Sequence, residues 1–159
     1  LLRASALALL LDRIGPLSAA GVFLIAAVVS RLSGVHLLAS MPPARASGAS
    51  VAVGRPSLHT AFIGYCIGFA IALLLDFFLR LPPWGLPLGF ALAAANALLV
   101  KRLCLRLIGG QTGDIAGATQ QLDEIAIFLG FALVLVGSLV GSYVDLALAW
   151  LFPAAFGLK

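Results

Sequence analysis

Apolar residues fill this chain in long blocks, and polar residues gather in short stretches between them. A bilayer core needs about 20 mostly apolar residues per crossing helix, so block length marks the spans. Leu1 to Leu11 reads as a short helix, closed by Asp12, Arg13, Gly15 and Pro16. Leu17 to Met41 reads as a second, interrupted by Arg31 and His36. His59 to Leu79 is the third. Leu86 to Ile108 is the fourth, and its last turns carry Lys101, Arg102 and Arg106. Ile115 to Val140 is the fifth. Leu146 to Phe156 is too short to cross unaided and is broken by Pro153. No alternation at period two points to a β-barrel, and no fixed-period repeat stands out. The pattern predicts an all-α integral membrane protein. It is expected to be a polytopic bundle of about five spanning helices plus a short C-terminal helix, in one transmembrane domain over residues 1–159.

Composition agrees. The chain is 62% hydrophobic and 10% charged, against about 45–50% and about 25% in soluble domains. A soluble core of this size cannot hide that much apolar surface. Cys66 and Cys104 sit far apart in apolar runs, without metal-type spacing, and read as small buried hydrophobes. The first residues begin inside an apolar run with no Met and no small-residue cleavage site, so they do not read as a signal peptide. The chain is expected to start within a helix, as an N-terminal truncation.

Following the spans back and forth puts two unusual loops on one side. The Pro42–Ser57 loop and the Gly109–Gly113 loop (GGQTG) share it with Arg45, Arg55, Lys101, Arg102 and Arg106. The other side has Arg13 and Arg80. Lys and Arg favour the cytoplasmic side, so both loops are expected there. The first loop has two arginines, no acid, and many small residues that let backbone approach a ligand. Arg45 and Arg55 suit a phosphate, which guanidinium grips bidentately, or equally an anionic lipid headgroup.

The second loop opens a helix. Thr112 or Asp114 can cap it. From Asp114, the residues Gly117, Ala118, Gln121 and Glu124 recur on one side as a stripe of small and polar groups. Glu124 is read either as facing a cavity, since charge at such depth is costly, or as an interfacial group beside solvent. Asp123 points elsewhere and is expected at the headgroup level. An acid beside arginines at the mouth of a bundle suits Mg²⁺ with a phosphate ester, although one Asp is a sparse ligand set.

The stretch RLIGGQTGDIAGATQQLDE, with the upstream MPPARASGASVAVGRPS, closely resembles cobalamin synthase, the adenosylcobinamide-GDP ribazoletransferase family. The first stretch is similar to that family's R-x-x-GG-x-TGD-x-x-GA signature, and the second to its P-x-AR loop. The likeness covers essentially the whole chain. It implies a transferase of the bacterial inner membrane that joins adenosylcobinamide-GDP to α-ribazole or its 5′-phosphate and releases GMP, with Mg²⁺. By motif position, Arg45, Arg106, Asp114 and Glu124 would be catalytic. Arg55, Gly109, Gly110, Thr112, Gly113, Gly117 and Gln121 would bind substrate, with Ala118 completing the signature. Gln121 stands where many members have Glu. Asp114 would be a metal ligand, with the main ligands in an N-terminal Asp-rich motif of the family that this chain lacks. The fragment alone is therefore expected to be inactive. Expected partners are the two substrates, the lipid membrane, and a second copy or other cobalamin-assembly enzymes, but no nucleic acid. Two other functions remain open: a transporter or permease subunit, since charged and broken helices suit one, and a non-catalytic scaffold.

Overall fold

The computed structural model describes residues 1–45 and 54–151, with side chains described to residue 144. Its elements are α1 (Leu2–Ser40), α2 (Leu58–Leu79), α3 (Gly85–Leu107) and α4 (Gly113–Leu151). All four are long and apolar enough to cross a membrane. The chain is a multi-pass helical membrane protein.

The pattern predicts five spans and the described residues form four. The difference lies at Gly15. The helices expected at Leu1–Leu11 and Leu17–Met41 join as α1, broken only where Gly15 takes φ 77° and ψ 168°. Glycine reaches such angles at little cost, and Pro16 then opens the next limb at a position that needs no N–H. This break reverses the chain. Arg3 and Arg31 both reach the Glu124 carboxylate, at 2.7 and 2.9 Å, whereas a straight helix would hold them about 42 Å apart. Residues 2–14 thus fold back along residues 16–40. That first limb is about 20 Å long, too short to cross a core of about 30 Å. Arg31 and His36, expected as interruptions, lie in unbroken helix. The gap expected after Val140 is also absent: α4 is continuous to Leu151 and takes in the start of the expected C-terminal helix. The rest of that helix, through Phe156, falls outside the described residues.

Packing centres on α4. The second limb of α1 runs antiparallel to it: Arg31 meets Glu124, Gly34 faces Gln120, and Leu37 and Met41 pack with Ile115. α3 is antiparallel to it too: Asn96 bonds Asp123, and Gly89 and Gly85 face Ile127 and Phe131. Glycines set the α3–α4 spacing. A Cβ on Gly130 would meet the Gly89 backbone and lie 2.9 Å from Gly85 O. Small residues of this kind let membrane helices approach backbone to backbone. Leu10, Val22, Ile25, Ile127, Phe128 and Phe131 fill the core between α1, α3 and α4.

α2 rests on α1, with Gly68 beneath Val28 and Leu32 and with Leu79 over Gly21. Ser57 caps its start, accepting from the Thr60 N–H at 3.0 Å. Phe62, Ile67, Phe77 and Phe78 are exposed on it, as a lipid-facing helix requires. Cys66, expected to be buried, lies on this exposed helix; Cys104 is buried.

Candidate functional site

The end of α1, the start of α2, the end of α3 and the start of α4 meet at one end of the bundle. There the two unusual loops touch. Gln111 N–H donates to Pro42 O at 2.9 Å, and Ala44 N–H donates to Gln111 O at 2.9 Å. Pro43 and Gln111 so form a parallel β-bridge. Glycine makes the contact possible. Gly110 is buried, and a Cβ there would meet Pro42 O and lie 3.0 Å from Pro43 C. Gly109 turns the chain with φ 72°. Gln111 itself is 2% exposed. Shared loop placement, inferred from span counting, is thus a direct backbone pairing.

Thr112 settles the capping question. Its hydroxyl accepts from the Ile115 N–H at 3.3 Å and its carbonyl from the Ala116 N–H at 3.1 Å. Asp114 is therefore not the cap. It lies exposed in the first turn of α4, just after Gly113. A helix N-terminus favours negative charge there, so Asp114 is held by helix geometry and its carboxylate is left to solvent or a ligand.

The arginines divide. Arg45 follows the paired Pro42–Ala44 segment directly and is exposed. Arg106 is exposed in the last turn of α3. Arg55 is tied down, its Nε donating to Ala39 O at 3.0 Å. That bond satisfies a carbonyl in the last turn of α1 and fastens α2 to it, so one Arg55 nitrogen has a structural job. With Arg102, also exposed, this end is rich in cations and has one carboxylate beside the loops.

The stripe beyond the loops faces outward. Ala118 and Gln121 are exposed, and Gly117 has nothing within 4 Å of where its Cβ would be. Glu124 is 8% exposed and lies about 15 Å along the helix from Asp114. Arg31 Nη1 donates to its Oε1 at 2.9 Å, and Arg3 Nη1 pairs with Oε2 at 2.7 Å. A residue expected to be catalytic is thus engaged by two guanidiniums, away from the loops. Asp123, expected among headgroups, is instead fully buried. It accepts from Asn96 Nδ2 at 2.6 Å, and the Ser33 hydroxyl of α1 stands beside it as a second donor. The reason is rotation: Asp123 turns inward between α3 and α1, whereas Glu124 turns to the Arg3 and Arg31 side of α1.

Sequence reasoning missed Arg3, Arg31 and Asn96 as partners. Each is a polar residue inside an apolar block, and that signal marks groups that need partners in the interior. An apolar cavity of about 290 Å³ also opens between α1, α2 and α3, lined in part by Ser33, His36, Tyr65 and Phe90. No residue of the paired loops lines it.

A metal finds few ligands here. Among the described residues no three of His, Cys, Asp or Glu come together. Asp114 fits Mg²⁺ only in the mode in which one carboxylate and the substrate's phosphate oxygens share the ion.

Comparison with known proteins gives the same direction. Residues 1–133 match the family described as Cobalamin-5-phosphate synthase. An adenosylcobinamide-GDP ribazoletransferase from a Sinorhizobium species is 40% identical over 132 residues, covering 83% of this chain and 50% of that protein. The enzyme of that name from Azorhizobium caulinodans is 42% identical over 120 residues, covering 74% of this chain and 44% of the relative. The chain spans about half the length of these curated relatives. No solved structure matches it.

Proposed function

The chain belongs to the Cobalamin-5-phosphate synthase family, and from that premise we propose that it carries the loop-end part of an adenosylcobinamide-GDP ribazoletransferase active site. One observation carries the reading: the Pro43–Gln111 pairing. It holds the arginine-bearing loop against the GGQTG turn and leaves Arg45, Arg106 and Asp114 exposed at one end.

The reaction joins adenosylcobinamide-GDP to α-ribazole or its 5′-phosphate. GMP leaves with one phosphate, so the attacked phosphorus is the one bearing the cobinamide. A ribose hydroxyl attacks it, the bond to the GMP oxygen breaks, and the hydroxyl proton passes to a base or to water. Phosphoryl transfer is governed by positioning and by charge offset. Arg45 and Arg106 supply guanidinium forks for the phosphate oxygens. Gly109, Gly110 and Gly113 keep side chains out of the way, so backbone can approach the diphosphate. Thr112 holds the helix start, and Arg55 fixes the neighbouring end of α1. Asp114 would hold Mg²⁺ together with substrate oxygens, and the ion when bound would offset diphosphate charge. The basic loop end lies on the cytoplasmic face of the bacterial inner membrane in this reading.

Membranes carrying a full-length enzyme of the family with this chain in place of its matching half are the test. They should convert adenosylcobinamide-GDP and α-ribazole to adenosylcobalamin, with one GMP released per product. Asp114→Asn should lower turnover by about a hundredfold with expression and thermal stability unchanged, because Thr112 keeps the cap. Raised Mg²⁺ should recover part of the loss. An Asn variant of normal turnover would remove Asp114 from the site, and absence of GMP release from the unaltered protein would remove the reading itself.

A further inference from the structure

The Arg3–Glu124–Arg31 cluster lies in an unusual place. Asn96 is the middle residue of α3 (Gly85–Leu107), and it bonds Asp123, the neighbour of Glu124. Gly68, at the middle of α2 (Leu58–Leu79), faces Leu32, the neighbour of Arg31. Two helices sized for one crossing thus agree that the cluster sits near the bilayer midplane. At that level lipid offers no partner for a charge, and exposed guanidinium is costly. Yet the Arg31 side chain is 62% exposed and that of Arg3 47%, while the Glu124 side chain between them is 11% exposed. One carboxylate against two guanidiniums leaves a net positive charge. Arg31 also donates to Ser30 Oγ at 3.2 Å and Ala27 O at 3.4 Å. These bonds orient the guanidinium without neutralising it.

The face on which the cluster opens is not uniformly apolar. Toward the loop end, α4 continues it with exposed Gln121 and Ala118 and with open space beside Gly117. Asp123, the other acid at this level, is turned into the α3 contact and is fully buried. The cations therefore face outward with Glu124 as their one acidic neighbour among the described residues.

We propose that Arg3 and Arg31, held apart by Glu124, form an anion subsite for a phosphate or diphosphate group. In the same proposal, water reaches this subsite from the paired loops along the α4 face that carries Gly117, Ala118 and Gln121. The shared chemistry is planar N–H donors against phosphate oxygens. A phosphate-bearing substrate and an anionic lipid headgroup both offer it, and the midplane depth favours the substrate. The assignment to substrate rests on the function proposed above; the ion cluster and its charge do not.

The experiment needs no turnover, so it fails separately from the catalytic reading. The full chain, with Cys66→Ala and Cys104→Ala, is placed in neutral phosphatidylcholine nanodiscs. Gln121→Cys is treated with a negatively charged methanethiosulfonate reagent, and Leu133→Cys, exposed and apolar on the same helix, serves as the lipid-facing control. Gln121→Cys should label far faster than Leu133→Cys, and inorganic pyrophosphate should slow it. Arg31→Gln should raise the pyrophosphate needed for half protection by about tenfold or more, the loss of one charge-assisted contact. Glu124→Gln should lower it, since a competing anion is gone. A purely structural ion cluster would show no gain from Glu124→Gln. If Arg31→Gln cannot be purified, Arg3→Gln is read in the same way. Equal labelling of both cysteines, no protection by pyrophosphate, or protection indifferent to both arginine changes would each overturn the proposal. Phosphatidylglycerol in the disc should leave protection intact; if it abolishes protection, the occupant is a lipid headgroup and the substrate subsite falls.

Discussion

Gly110 is the residue on which the candidate site turns. Its missing side chain is what lets Gln111 reach Pro42 O and offer its own carbonyl to Ala44. Gly110→Ala would force the loops apart, since the new Cβ meets backbone rather than a movable side-chain tip. Overpacking of this kind costs about 1–3 kcal/mol. The variant should melt several degrees lower in detergent and should lose turnover more than a matched surface change at Gly117, where nothing lies within 4 Å. Equal melting temperatures for the two alanine variants would mean that the loop pairing contributes nothing to stability. Arg55 and Arg45 illustrate the same scale: both are arginines of one loop, but a bond to Ala39 O makes Arg55 part of the scaffold.

Helices here recognise each other through glycine rather than through an apolar stripe. In lipid there is no hydrophobic drive between helices, so association depends on close packing and on interior hydrogen bonds. The α3–α4 contact has both: Gly85, Gly89 and Gly130 at one level, and Asn96 with Asp123 about two turns from Gly89 and Gly130. Gly130→Leu should therefore separate α3 from α4, with a loss of more than about 3 kcal/mol seen as a lowered melting temperature or lost expression. Gly137→Ala on the same helix has nothing to strike. It should be neutral or slightly stabilising, because alanine is the better helix former. If Gly130→Leu melts like Gly137→Ala, the backbone contact at Gly89 does not hold the pair together.

As a whole, the molecule is a bundle with one basic, loop-bearing end and one aromatic end. Phe77, Phe78 and Trp84 are exposed at the latter, where aromatic rings suit the bilayer interface. Charge asymmetry predicts the orientation. In intact cells, Ile108→Cys at the loop end should resist an impermeant thiol reagent added outside, and Pro83→Cys at the far end should react with it. The reverse pattern would put the paired loops on the external face and remove the cytoplasmic site. α4, at about 58 Å, is longer than one crossing of about 30 Å, so only part of it spans.

Chain chemistry alone determined the class and much of the local structure. Blocks of apolar residues mark the helices because bilayer thickness sets their length. Gly15–Pro16 marks a helix break because the backbone there needs a special conformation, and Thr112 or Asp114 marks the start of α4 because a helix start needs a cap; the structure chose Thr112. The loop pair was also legible, since counting spans puts both loops on one side. Tertiary structure decided what depends on rotation and on neighbours. Successive helix residues point about 100° apart, and helices apolar on every side carry no stripe to say which side is inner. Only the packing of α4 between α1 and α3 turns Asp123 inward to Asn96 and Glu124 toward Arg3 and Arg31. Only the reversal at Gly15 brings Arg3 to a carboxylate 121 positions along the chain, a contact for which no local pattern exists.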